Sequence, residues 1–201
     1  MRKIFTITSV LCLGVATAFA QAGEQAKKEP AAAATKPADA RPPAGGDMMG
    51  GPRPPEEMQQ MKDMVGVWKC EGKTTVGGRE MADKSTATFM WDLDKFFISA
   101  RMDSPKSKDN PTGYKGRTMF GYDTGAKQFV SMSVDNMGSM SMMTSKGWSG
   151  DSMEWAGKSK MMGKDMDARE KVTRKGPREV TLSGGVGSGA EGVTWEATCK
   201  K

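Results

Sequence analysis

The chemistry open to this sequence is bounded first by an absence. None of its 201 residues is a histidine. That removes a Ser-His-Asp triad, a Cys-His pair and a histidine-ligated haem or zinc. Carboxylates remain as acid–base groups. Asp92/Asp94 and Asp165/Asp167 are pairs, but they alternate along strand-like segments and flank turn signals, which is the pattern of a solvated surface. Asp165-Met166-Asp167 lacks the Asp-x-Asp-x-Asp-Gly loop of a calcium site. The run Gly184 to Gly189 is glycine-rich, yet a strand follows it and not a helix, so it reads as a hairpin loop and not a phosphate cradle. No catalytic residue, metal set or cofactor is assigned, and the chain is read as a non-enzyme.

Sulfur is the abundant soft group. There are 19 methionines and three cysteines. Met137, Met140, Met142 and Met143 form one dense cluster, Met161, Met162 and Met166 a second, and Asp47-Met48-Met49 a third. Thioethers select Cu(I), so copper(I) binding in the periplasm is one reading. Against it, the methionines are spread over the whole domain, as a core aliphatic would be. Beyond residue 20 the chain has only 12 Leu, Ile and Val together. Methionine then acts as the main large aliphatic, filling irregular space, with five tryptophans supplying rigid area.

The elements that must position these groups begin after a leader. Arg2 and Lys3, an apolar run from Ile4 to Val15, and Ala18-Phe19-Ala20 read as a secretory signal cleaved after Ala20. The expected location is periplasmic or secreted, with no transmembrane segment after cleavage. The full chain carries a net charge of +6. This is mildly basic and dispersed, and does not point to nucleic acid. Residues 21–55 are rich in Ala, Pro, Gly and Lys and read as a disordered tether. Cleavage leaves Cys70 and Cys199, two thiols in an oxidising compartment, which are expected to pair; buried free thiols are the alternative. A bridge would close a loop of about 130 residues, worth roughly 4–5 kcal/mol in the chain-entropy model.

Residues 56–201 read as one domain. Glu56 to Met64 is predicted as a short helix, with Pro55 at its start and Met58, Met61 and Met64 on one face. After Gly66 the period is two. Val193 to Cys199 alternates strictly, and about ten such segments are separated by turn signals such as Gly77-Gly78 and Asp123 to Gly125. The predicted fold is all-β: a ten-stranded antiparallel up-and-down barrel, since closure removes the sheet edges. A sandwich is the alternative. In such a barrel the first and last strands are neighbours, so a Cys70–Cys199 bridge would staple the seam.

Gly66-Val67-Trp68, placed after a short helix and on the first strand, is the Gly-x-Trp signature of lipocalin-like barrels. Met64 to Trp68, Phe120-Gly121-Tyr122-Asp123, Phe129-Val130-Ser131, Asn136-Met137-Gly138 and Arg169 to Thr173 follow in order. In this the chain resembles the bacterial family called domain of unknown function 1579. The resemblance covers about residues 56–201 and implies a lipocalin-type barrel without an established activity. Haem-binding barrels of related shape use a histidine ligand, which is missing here.

The functional expectation is a barrel that binds a small apolar or amphipathic ligand in the cell envelope. Its candidate lining is Trp68, Phe89, Trp91, Met132, Met140, Met142, Met153, Trp155, Met166 and Trp195. Glu170 shares strand parity with Met166, Ala168 and Val172, so its carboxylate is expected inside, with Arg101 or Arg117 as a candidate partner. A filled barrel acting as a protein-interaction module is a further alternative.

Overall fold

Pro55 and the acidic pair Glu56-Glu57 open a 3-10 helix over Glu56–Met64. The predicted short helix is thus present, but with three residues per turn. That period places Met58, Met61 and Met64 in one row, and they are 0%, 3% and 7% exposed. The computed structural model describes residues 51–189 and 192–201. The expected leader, and the expected tether as far as residue 50, lie outside the described residues; residues 51–55 have no regular structure.

After the helix the chain is strand and turn, apart from a single 3-10 turn at Leu93–Lys95. The strands are β1 (Gly66–Val76), β2 (Arg79–Asp92), β3 (Phe97–Ser104), β4 (Tyr114–Asp123), β5 (Gln128–Asp135), β6 (Met140–Ser145), the two-residue β7 (Trp148–Ser149), β8 (Ser152–Met161), β9 (Lys164–Gly176), β10 (Glu179–Val186) and β11 (Val193–Lys200). Each pairs antiparallel with its neighbour, β1 pairs with β11, and β6 pairs with β8 past the small β7. Ten strands therefore close into an up-and-down barrel with no free edge in the ring. Among the described residues no helix is long and apolar enough to cross a membrane.

Cys70 and Cys199 are directly opposed in the β1–β11 register and are joined by a disulfide. The seam is stapled where the two ends of the domain meet.

The 3-10 helix closes one end of the barrel. Its three methionines pack with Trp68, Ile98, Phe129, Met153, Trp155, Val172, Val180 and the disulfide to form the core. Its last carbonyls, left unpaired by helix geometry, are taken up by side chains. The Trp68 indole donates to the Met64 carbonyl at 2.7 Å. The Lys201 ammonium donates to the carbonyls of Asp63 and Val65 at 2.8 and 2.7 Å and lies 4.9 Å from the Trp68 ring centre. Arg174 donates to the Gln60 carbonyl while stacking on Trp148. The Gly-x-Trp motif is thus the fastening point of the plug.

Candidate functional site

Inside a closed barrel, alternation sends every second side chain inward. Near the plug those side chains are buried: Trp68, Cys70, Ala87, Ile98, Phe129, Met153, Trp155, Val172, Val180 and Cys199. This half is a filled core. Farther from the plug, inward residues of the same strands keep part of their surface accessible, including Asp83, Ala100, Glu170, Trp195 and Ala197. That surface faces the lumen. Trp155, Phe120 and Phe89 form its floor, with ring centres 5.5 and 6.1 Å apart along the row.

Glu170 on β9, Gly184 on β10 and Trp195 on β11 lie side by side in register. Gly184 has no side chain, and a Cβ there would stand 2.7 Å from Cζ2 of Trp195. The indole occupies that space and donates a hydrogen bond to the Glu170 carboxylate. Trp155 is the register partner of Glu170 on the other side. Glu170 keeps part of its surface accessible, yet burial pushes its carboxyl above the usual glutamate range; the Trp195 donation opposes this in part.

On the facing wall, Tyr114 of β4 folds down over Gly116, with its hydroxyl 2.9 Å from where a Cβ would be. Burial pushes its phenol up to about 12, and the charges of Asp135, Glu170 and Asp83 act in the same direction. Asp83, Asp135 and Glu170 are thus all near enough to act on Tyr114, and all three are on the inward parity. Asp135 also accepts from the amides of Met137 and Ser139, which ties it to the β5–β6 turn. On the described strands the basic residues of inward parity are Arg174, engaged at the plug, and Arg79 and Lys164, both exposed at the opposite rim. Hydroxyls complete the wall: Ser85, Ser104, Ser131 and Ser159 are buried, and Thr118 bonds Ser133 at 2.9 Å. The Ser131 hydroxyl has no hydrogen-bond partner.

The predicted lining divides three ways. Trp68, Met153 and Trp155 face inward but belong to the filled core, with Phe89 and Trp91 packed against it. Glu170, Trp195 and Met166 lie in the open half, Met166 with its sulfur against Gly187 of the β10–β11 loop. Met132, Met140 and Met142 are a correction. They are 52%, 48% and 64% exposed and face outward. Phe129, Ser131 and Ser145 are the buried members of β5 and β6, which sets the opposite parity inside. Arg101 and Arg117 are likewise exposed on the outer wall, where Arg117 lies 3.8 Å from Asp103. Neither is the partner of Glu170. Tyr114, Asp83, Asp135 and Gly184 were missed by sequence reasoning. Asp83 was accessible to it, since it shares parity with Ser85, Ala87 and Phe89.

Two open grooves run along the wall. One, of about 660 Å³, is lined by Thr144, Glu154, Arg169 and Lys171 on the outer face and also reaches Trp155, Glu170 and Gly184; the other, about 690 Å³, is lined by Asp167, Gly185 and Thr194 and also reaches Met166 and Gly184. Among the described residues no three His, Cys, Asp or Glu side chains gather as a metal site.

Comparison with known proteins follows the fold. Residues 53–193 match a family described as protein of unknown function (DUF1579). Among solved structures the chain is similar to Rv2717c from M. tuberculosis, with a TM-score of 0.56 and 10% identity over 74% of this chain and 99% of that one. It also resembles a redesigned beta barrel, with a TM-score of 0.39 and 11% identity over 71% of this chain and 94% of that one. At such identities the likeness concerns the fold alone. No curated protein matches the sequence.

Proposed function

The chain belongs to the DUF1579 family of proteins of unknown function, and from that premise we propose that its barrel is a non-catalytic carrier of a small apolar or amphipathic molecule in the cell envelope. One observation carries this reading. Above the aromatic floor, inward residues keep accessible surface although the barrel around them is closed. An apolar wall with a few polar groups is what a ligand site needs. The chain has no histidine to act as a base, and among the described residues the inward Ser131 hydroxyl has no hydrogen-bond partner to activate it. The leader over residues 1–20 and the tether behind it would place this barrel outside the cytoplasm, held on a flexible arm.

Native mass spectrometry of the exported protein, before and after denaturation, tests the reading. The expected result is a reproducible added mass that leaves on denaturation, on a chain that begins at Gln21. A bare protein that also fails to take up a neutral apolar dye would overturn it.

A second reading is favoured by the outer wall. Met119, Met132 and Met142 lie in one lateral row on three adjacent strands, with Met140 two residues from Met142 on the same face. Their thioethers could converge on one Cu(I). The neighbouring Lys158 and Lys160 are paired with Asp167 and Asp165, which offsets their repulsion of a cation. Competition against a chromogenic Cu(I) chelator decides. Stoichiometric uptake lost in Met132→Leu/Met142→Leu supports the site, and unchanged uptake removes it.

A further inference from the structure

We infer that the lumen selects an organic cation, such as a protonated amine on an aromatic or aliphatic body, with Glu170 as its counter-ion. The inference rests on the ligand-carrier reading above and names the chemical class of the ligand.

Charge sign inverts between the outside and the inside of this barrel. The chain as a whole is basic, at +6. Most of its strand lysines and arginines lie on the outer wall, where they pair across strands, as in Lys84–Glu71, Lys158–Asp167 and Lys171–Glu154; Arg174 and Lys201 fasten the plug, and Arg79 and Lys164 stand exposed at the far rim. Below that rim, the charged side chains of inward parity on the described strands are acids: Asp83, Asp135 and Glu170.

Glu170 is the decisive group. It is enclosed, and its identified partner is a neutral indole N–H. One neutral donor does not satisfy two carboxylate oxygens. An enclosed carboxylate needs a cation or a proton, and the chain's own cations are placed at the plug, at the rim or on the outer wall. Without a ligand Glu170 holds the proton more tightly than an exposed glutamate; a cationic ligand would replace that proton. Asp135 is occupied by turn amides, and Tyr114 stays neutral at physiological pH. Both leave Glu170 as the contact for a positive head.

Aromatic rings stand around it. Trp195 crosses toward Glu170 over Gly184, Trp155 is its register neighbour, and Phe120 and Phe89 continue the floor. Ring faces attract cations and pack apolar bodies alike. The acids are dispersed around the wall and no three of them gather within a metal's reach. This geometry fits a molecule that spans the lumen better than a bare divalent ion.

Calorimetric titration of the full chain, stripped of co-purified ligand, with naphthylmethylamine, naphthylmethanol and naphthoate separates the two readings. The three probes share one body and differ in the charge of the head. The amine is expected to bind roughly tenfold or more tightly than the alcohol, with naphthoate weakest. Glu170→Gln should erase that advantage and leave alcohol affinity in place. Amine affinity should also fall on acidification through the Glu170 titration, with Asp83, Asp135 and Tyr114 as the other groups facing it. Equal binding of alcohol and amine, or a preference that survives in Glu170→Gln, overturns the cation assignment while the carrier reading stands. If none of the three binds, both fall. Should Glu170→Gln not fold, the ranking of the three heads on the wild-type chain decides alone.

Discussion

The indole of Trp195 crosses Gly184 to donate to the carboxylate of Glu170, two strands away. A contact across an intervening strand is possible because that strand presents no Cβ at the crossing point. Gly184→Ala would put a methyl 2.7 Å from Cζ2 of Trp195 and 2.6 Å from the Arg169 carbonyl. We expect a loss of about 1–3 kcal/mol in urea denaturation, with altered tryptophan near-UV dichroism. Combining it with Trp195→Phe should give less than the sum of the two single losses. Strict additivity would mean that the indole does not depend on that gap.

The pH dependence of stability follows from Glu170. Its folded carboxyl titrates above the unfolded value of 4.5, so the folded state holds its proton more tightly than the unfolded state does. This contribution is intact below about pH 4.5 and is lost as pH rises through the folded titration. Glu170→Gln should therefore raise the unfolding midpoint at neutral pH by a few degrees, on the usual scale of about 2–4 °C per kcal/mol, and change it little in acid. Thermal scans of the ligand-free proteins at two pH values suffice. A neutral-pH midpoint that drops would show that the carboxylate is satisfied in the free barrel.

Reduction of the Cys70–Cys199 bridge releases a loop of 129 residues. The chain-entropy model puts the stability at stake near 5 kcal/mol. Denaturation with and without reductant, or of Cys70→Ala/Cys199→Ala, should shift the midpoint accordingly while the barrel still folds. A shift under about 1 kcal/mol would mean that strand pairing alone holds the seam.

The plug gives two further numbers. Met61→Ala removes a buried side chain from the plug and should cost about 2–5 kcal/mol. Lys201→Met keeps most of the aliphatic stem but loses two hydrogen bonds from an ammonium, and should cost about 1–3 kcal/mol. Amide exchange in residues 56–64 should speed up more in Lys201→Met than exchange in the strands does. Uniform acceleration would instead make the plug and barrel one cooperative unit.

Much of this architecture is visible in the chain, because three signals agree. Period-two alternation marks the strands, two-residue turns such as Gly77-Gly78 join them, and the pairing of Cys70 with Cys199 requires the first and last strands to meet. The site is less legible. On β5, Val130, Met132 and Val134 look like a core face, yet they lie outside while Phe129, Ser131 and Ser133 lie inside. Hydrophobicity alone picks the wrong parity there; burial of Phe129 against Tyr122, with ring centres 5.1 Å apart, sets the right one. The same inversion carries Met140 and Met142 outward on β6. Methionine is the cause of the ambiguity, since one flexible residue type serves both the core and the exposed wall. Tyr114 was hidden for a different reason: its reach into the lumen depends on Gly116 beneath it, a relation that alternation does not encode.

The placement of the disulfide also has a mechanical meaning. Cys70 and Cys199 turn the ring of strands into a covalently closed hoop, and the plug of residues 56–64 lies on the chain before that hoop begins. Tension applied through the segment preceding residue 56 would load the plug's methionines and its few carbonyl contacts first, and would reach the barrel wall only after they gave way. The plug is thus the weak link in series, and the wall that surrounds the lumen is insulated from a pull applied ahead of it.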